Sequence, residues 1–283
     1  MSTPPMPPPP KPPPLKANLP PPPPASKAVT SDADWSVEET KRIGQRIVIY
    51  ADGGVGKSCL AALAPNPVFG DLDNGAPPHA KIAKRAGVPI KDWLDILAFM
   101  RSKAAESFQT IVIDSATKAQ DAALAHTLAT VEHENGHRVT SIEGYGYGKG
   151  YQHLYDTFLG LLQAADEVAA SGRNVILVCH QCTATTPNPN GDDYLRFEPD
   201  MQQVSKNGRL RDRLRNWCDH LLFISTDVLV KEKTGVAIGG ITRTIYPQGA
   251  ATFWAKSRTL RDPIPYPEGS AEVWDQLFGG QNK

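Results

Sequence analysis

Runs of apolar residues recur along this chain at Ile47–Ala51, Val68–Gly70, Ile111–Ile113 and Val175–Cys179. Each is short, rich in β-branched residues and apolar without alternation, the pattern of a strand covered on both faces. Between them the period lengthens. Trp93, Leu94, Leu97 and Met100 recur at helical spacing and predict a helix near Ile90–Lys103. Others are predicted over about Lys57–Leu63, Ser115–Val131 and Tyr151–Ala170, the last with Leu154, Phe158, Leu161, Leu162 and Ala165 on one stripe. Strands alternating with helices predict a mostly parallel sheet flanked by helices. The later pattern differs. His220–Ser225, Val228–Lys231, Thr242–Tyr246 and Ala251–Ala255 read as strands of an antiparallel C-terminal extension, with Thr234-Gly235 as a turn and Ser270–Phe278 as a closing helix.

Polar and glycine- or proline-rich stretches separate these elements: Pro65-Asn66-Pro67, the Glu132–Arg138 turn and a Gly144–Tyr151 glycine/tyrosine hinge. Gln181–Gln203 lacks periodicity and holds Pro187, Pro189, Asn190-Gly191 and Pro199, which predicts a long functional loop. Ser205–Asn216 reads as a basic helix, with Arg209/Arg213 and Arg211/Arg215 at four-residue spacing as two ridges for phosphates.

Composition changes the picture mainly at the N-terminus. Fourteen of the 26 prolines lie between Pro4 and Pro24, where the only charges are Lys11 and Lys16. Such a run builds neither a ladder nor a core, so residues 1–33 are expected to be a disordered proline-rich tail and 34–283 one α/β domain. Ser31–Gln45, acidic and then basic, leads into that domain. The tail has no apolar signal-peptide core, and no stretch has the length of a membrane span, which predicts a cytoplasmic protein without membrane contact. Lys and Arg together number 30, as do Asp and Glu, so nucleic-acid binding has to be argued from local patches. Cys179, His180, Cys182, Cys218 and His220 superficially resemble a zinc set, but neighbours on a strand point to opposite faces and argue against one.

The candidate chemistry starts at Ala51-Asp52-Gly53-Gly54-Val55-Gly56-Lys57-Ser58-Cys59, which follows the first apolar run and opens a helix. That is the context of a phosphate-binding P-loop, with Ala51 where the strict pattern has glycine. Its three glycines let successive N–H groups converge on one anion. Asp52 through Cys59 form the expected cradle, Lys57 reaches the β/γ-phosphates and the Ser58 hydroxyl holds Mg²⁺. ATP and Mg²⁺ are therefore the expected cofactors. Asp114, after Ile111–Ile113, has the form of the carboxylate that holds magnesium through its water shell, and Ser115 beside it reads as a helix cap. Asp71 and Asp73 follow the second apolar run, at the carboxyl end of a strand where ligands of open α/β sheets sit. Either is a candidate to orient the attacking water, with Asp73 placed ahead. His180, ending the Val175–Cys179 run, is a candidate γ-phosphate sensor.

The order of these motifs resembles the RecA-like P-loop NTPase core, and most of all phage-encoded members that include single-strand annealing recombinases. The similarity covers about Ile47 to Pro265. It implies an ATPase stimulated by single-stranded DNA, acting in phage recombination, annealing or replication in the infected host's cytoplasm. It also implies a filament or ring of like subunits and a single-strand-binding protein as a further partner. Within the resemblance Asp73 activates water, and His180 takes the switch position where RecA carries glutamine. Gln181–Gln203 becomes a DNA-facing segment with Arg196, Tyr194 and Phe197 as contacts. Lys256 and Arg258 resemble the paired basic residues that such subunits insert into a neighbour's ATP site; two apart on a strand, they face the same way. The competing expectation is a nucleotide-gated adaptor with weak hydrolysis that recruits a partner through the proline-rich tail. A small-molecule kinase is disfavoured because no arginine-rich lid follows Asp114.

Overall fold

A computed structural model describes residues 44–204, 209–230 and 237–279. The proline-rich tail, most of the leading segment, Lys206 and the Thr234-Gly235 turn lie outside the described residues.

The apolar runs form the middle of one sheet. Strands β1 (Arg46–Ala51), β2 (Pro67–Asp71), β5 (Thr110–Asp114), β6 (Asn174–Thr186) and β8 (His220–Val230) lie parallel in the spatial order β8-β1-β6-β5-β2. The antiparallel flank is β9 (Ala237–Tyr246), β10 (Lys256–Ser257) and β11 (Ile264–Pro265): β9 and β10 pair with β8, and β11 with β9. A small hairpin, β3 (Lys84–Arg85) with β4 (Val88–Pro89), stands outside this sheet.

Alternate residues of each central strand serve opposite faces, so both faces must be apolar. Val48, Tyr50, Ile111, Ile113, Val175 and Leu177 pack under helices α2 (Trp93–Met100), α4 (Ala116–Thr130), α5 (Lys149–Ala170) and α6 (Leu210–Trp217). Ile47, Ile49, Val112, Ile176 and Val178 face the other way, toward α1 (Lys57–Ala62) and α7 (Glu272–Phe278). The fold is thus the expected mostly parallel α/β sheet with an antiparallel extension. Among the described residues no helix is long and apolar enough to cross a membrane.

Three local expectations change. The helix expected over Ile90–Lys103 stops at Met100 and restarts as α3 (Lys103–Glu106), because the Ser102 side chain accepts the Ala105 N–H at 3.2 Å and caps a new turn. Ala251–Ala255 is not a strand; the extended pair falls one step later, at Lys256–Ser257. Gln181–Gln203 is not an aperiodic loop. β6 runs on to Thr186 and returns as β7 (Tyr194–Pro199), an antiparallel hairpin with Pro187, Pro189 and Asn190-Gly191 in the turn and Pro199 at the end of β7. β-branched Thr183, Thr185 and Thr186 opposite Phe197, Leu195 and Tyr194 supply the cross-strand pairs that stabilise it.

Candidate functional site

The carboxyl ends of β1, β2 and β5, with the middle of β6 where His180 is level with Ala51, bring the candidate residues together. β1 delivers the loop 52–56 to the start of α1, where Gly56 caps the helix at φ +103°. An L side chain there meets both backbone strain and close neighbours: a Cβ would lie 2.7 Å from Arg243 Nη1 and 3.2 Å from Tyr266 Cε1. Lys57 is buried and folded back on its own loop, donating to the carbonyls of Ala51 at 3.1 Å and Asp52 at 2.8 Å. Burial lowers the affinity of this amine for its proton, while Asp114 and Asp52 oppose that.

β5 places Asp114 beside the cradle, close enough to the Ser58 hydroxyl for it to favour the charged carboxylate. Burial pushes the Asp114 carboxyl up, against the lowering by Ser58 and Lys57; Asp73 and Asp71 push it up further. Asp114 Oδ2 is buried without a hydrogen-bond partner. An orphaned carboxylate oxygen next to a P-loop hydroxyl is the donor set that a hydrated divalent cation satisfies, so the residues fit Mg²⁺.

The two carboxylates after β2 separate in role. Asp71 is buried and closes its own turn, accepting from the N–H groups of Gly75 at 3.1 Å and Ala76 at 3.2 Å. Asp73 lies beside β5, its N–H 3.3 Å from the Asp114 carbonyl. Its Oδ2 is 3.1 Å from His180 Nε2. His180 also donates its backbone N–H to Thr117 Oγ1 at 3.2 Å, and Thr117 donates to the Asp200 carbonyl at 3.1 Å. Asp200 in turn donates its N–H to the His180 carbonyl at 2.8 Å. A continuous bonded path therefore joins Asp73 to both strands at the root of the β6–β7 hairpin.

Lys256 and Arg258 are not part of this constellation. Ser257 between them pairs with His220, which is level with Ile47 at the opposite end of β1 from the P-loop. Lys256 Nζ donates to the Asn216 carbonyl at 3.3 Å, and Arg258 pairs with Asp219 at 3.0 Å. The second basic ridge expected on α6 does not form. Arg211 turns inward, bonding Glu198 at 2.8 Å and the Met201 carbonyl, because Glu198 is buried and needs a cation. Arg196 pairs with the same carboxylate at 2.7 Å and stacks over Trp254, so the cation expected to face DNA is engaged.

The braces of the cradle carried no sequence signal. Arg243 on β9 donates to the Val55 carbonyl at 3.1 Å and lies over the Tyr266 ring; the Tyr266 hydroxyl donates to the Gly56 carbonyl at 3.0 Å. Trp274 of α7 donates to the Leu60 carbonyl at 2.8 Å and pins α1. Beside the cradle, a cleft of about 440 Å³ opens between Cys59, Leu63, Pro78, His79 and Glu268.

A glycine cradle, a lysine and a hydroxyl facing a strand-end carboxylate, with one strand between the two carrier strands, define a P-loop NTPase with a RecA-like core. A family model described as an AAA domain matches residues 43–259, and the chain belongs to that family. Among solved structures it is similar to the flagellar accessory protein FlaH from Methanocaldococcus jannaschii, at 12% identity over 72% of this chain and 77% of that one, with a TM-score of 0.34. It is also similar to the KaiC-like protein PH0186 from Pyrococcus horikoshii OT3, at 15% identity over 80% of this chain and 87% of that one, with a TM-score of 0.40. No curated protein sequence matches it.

Proposed function

We propose that this protein is an ATPase of RecA-like type that assembles on single-stranded DNA and promotes annealing or strand pairing in phage recombination or replication. The observation that carries the hydrolytic reading is the juxtaposition of the Ser58–Asp114 pair with the Asp73–His180 pair. Triphosphate lies in the Gly53–Ser58 cradle under Lys57, and the nucleoside extends into the cleft beside Cys59. Ser58 and Asp114 hold Mg²⁺, which neutralises phosphate charge. Asp73 accepts a proton from the attacking water, and His180 fixes the carboxylate that does so. Changes at the γ-phosphate pass along the His180, Thr117 and Asp200 bonds to the β6–β7 hairpin.

DNA binding draws support from a basic surface where α6 meets β10. Arg213 and Arg215 are exposed there, Arg215 lying over the Trp254 ring. Lys256 and Arg258, remote from their own cradle, reach the ATP site of a neighbouring subunit and make turnover depend on assembly.

The test is ATPase rate against protein concentration, with and without a single-stranded oligonucleotide. The expected rate rises faster than linearly and is stimulated by oligonucleotide; Lys256→Ala keeps nucleotide affinity and loses the stimulation. A rate proportional to concentration and indifferent to DNA would overturn the reading.

A further inference from the structure

Along the β2 edge of the sheet a groove of about 500 Å³ opens between the 81–85 segment and helices α2 and α3. That is the volume of a small-molecule pocket. Val68, Ile90, Phe99 and Phe108 form its floor, and the first three are at most 9% exposed. The apolar surface is therefore sunk below a rim rather than spread as a patch. Its rim selects the head group. Lys81, Lys84 and Arg85 stand there against one carboxylate, Asp95, which Arg85 occupies. Lys81 Nζ donates to the neutral Asn66 side chain at 3.1 Å and lies 5.1 Å from the centre of the Phe108 ring. Lys84 is exposed, and among the described residues it has no ion-pair partner. Ser102 on the wall is already used, donating to the Phe99 carbonyl at 2.7 Å and accepting the Ala105 N–H at 3.2 Å. Two amines beside an apolar trough, with no free side-chain acceptor, suit an apolar chain that ends in a single anion and disfavour an amine.

The same stretch of chain walls the cleft beside the phosphate cradle. Residues 77–81 line that cleft, residues 81–85 line the groove, and Lys81 belongs to both. Between the two cavities the stretch is tied to the sheet at a single β2 residue. Phe69 donates its N–H to the Lys81 carbonyl and accepts the Ala83 N–H, each at 2.8 Å. A ligand that shifts Ala83 from the groove side therefore shifts Lys81, and with it the wall of the cleft, through one continuous strap.

We propose that the groove is a second ligand site, taking a single-chain carboxylate, and that its occupancy is felt at the nucleotide cleft through residues 77–85. The chain lies on Val68, Phe99 and Phe108, with its carboxylate between Lys81 and Lys84. The coupling rests on the reading above of the cleft as the nucleoside site; the carboxylate site does not.

Calorimetry on the full chain with decanoate as the probe tests the site. The expected Kd is below about 1 mM, with decan-1-ol at least about tenfold weaker, for want of the charged head, and decylamine weaker still. Lys84→Ala should weaken decanoate at least about fivefold, and Ala98→Trp should abolish its binding by filling the trough. Both positions are exposed and line the groove, so both variants are expected to fold. No heat with decanoate, equal affinity for decylamine, or parental affinity in either variant would overturn the site. So would decanoate binding that disappears as protein concentration rises while sedimentation velocity shows a dimer, which would assign the groove to a second copy. For the coupling, saturating decanoate should change Mg-ATPγS affinity at least about fivefold, and Mg-ATPγS should change decanoate affinity by the same factor. Ala98→Trp should keep the nucleotide affinity and lose that effect. Affinities independent of one another would overturn the coupling. Decanoate binding without any nucleotide binding would leave the carboxylate site standing and defeat the reading of the cleft.

Discussion

Replacing Gly56 by alanine sets three separable costs against the phosphate cradle. The backbone there is at φ +103°, and an L residue in left-handed space costs about 1–2 kcal/mol. The added Cβ would stand 2.7 Å from Arg243 Nη1, so the guanidinium must leave the Val55 carbonyl, now 3.1 Å away. A hydrogen bond from a charged donor contributes about 1.5–3 kcal/mol when buried, less here because Arg243 is partly exposed. The same movement takes the guanidinium off the Tyr266 ring, about 0.5–1 kcal/mol for a cation–π contact at a partly wet site. Partial relaxation gives a combined cost of about 2–4 kcal/mol. If binding must restore the curled loop, the lower bound corresponds to a rise in Kd of about 30-fold. Calorimetry with Mg-ATPγS reads the affinity, and urea unfolding of the nucleotide-free protein reads the stability. Gly53→Ala is the internal control: nothing lies within 4 Å of its Cβ, so stability should change by no more than about 0.5 kcal/mol. Adding Arg243→Ala to Gly56→Ala should recover the steric part and leave the backbone part, seen as an interaction energy of about 1 kcal/mol or more. Parental affinity together with an unchanged urea midpoint in Gly56→Ala would refute the reasoning.

Further predictions concern charge and catalysis. The folded chain holds the Asp114 proton more tightly than the unfolded chain does, so stability from this group is present below the ordinary carboxylate pKa and is lost as pH rises through the raised value. Asp114→Asn should therefore unfold at higher urea than the parent at neutral pH, converge with it in acid, and fail to bind Mg-ATP; equal midpoints at neutral pH would count against a buried, desolvated carboxylate. His220 is held neutral, Nδ1 accepting from the Ser257 hydroxyl at 2.7 Å and Nε2 donating to Gln45 at 3.0 Å, and burial pushes its pKa down to about 4. Asp219 opposes that lowering, and Arg258 and Lys256 contribute to it. Its contribution is present above the ordinary value of 6.5 and is lost as pH falls toward 4, about 3 kcal/mol at about 1.4 kcal/mol per pH unit. His220→Gln should flatten that part of the acid unfolding profile, and a profile parallel to the parent's would exclude it. Asp73→Asn should lower kcat by about a hundredfold or more with ATP affinity retained, as for loss of a positioned base, in phosphate-release kinetics; an unaltered kcat would remove Asp73 from the water-orienting role.

The P-loop, the central strands and α1, α4 and α5 were legible in the amino-acid order because their signals are local. A glycine turn is shaped within about eight residues, and a doubly covered strand announces itself by unbroken apolarity. From those runs alone follow the parallel sheet and the expectation of carboxylates at its carboxyl edge. Tertiary structure alone decided which of them meet. Asp73 and His180 are 107 positions apart, Arg243 and Tyr266 reach the cradle across 188 and 210 positions, and Trp274 reaches α1 across 214. No periodicity encodes such pairs, since alternation fixes which face a side chain occupies but not which strand lies next to it. The β6–β7 hairpin was hidden because its turn residues outnumbered its cross-strand pairs, whose worth depends on the partner strand. Arg211 was misread as a surface ridge for a related reason: only the folded chain brings the buried Glu198 to it, and an unpaired buried carboxylate costs more than ordering one arginine.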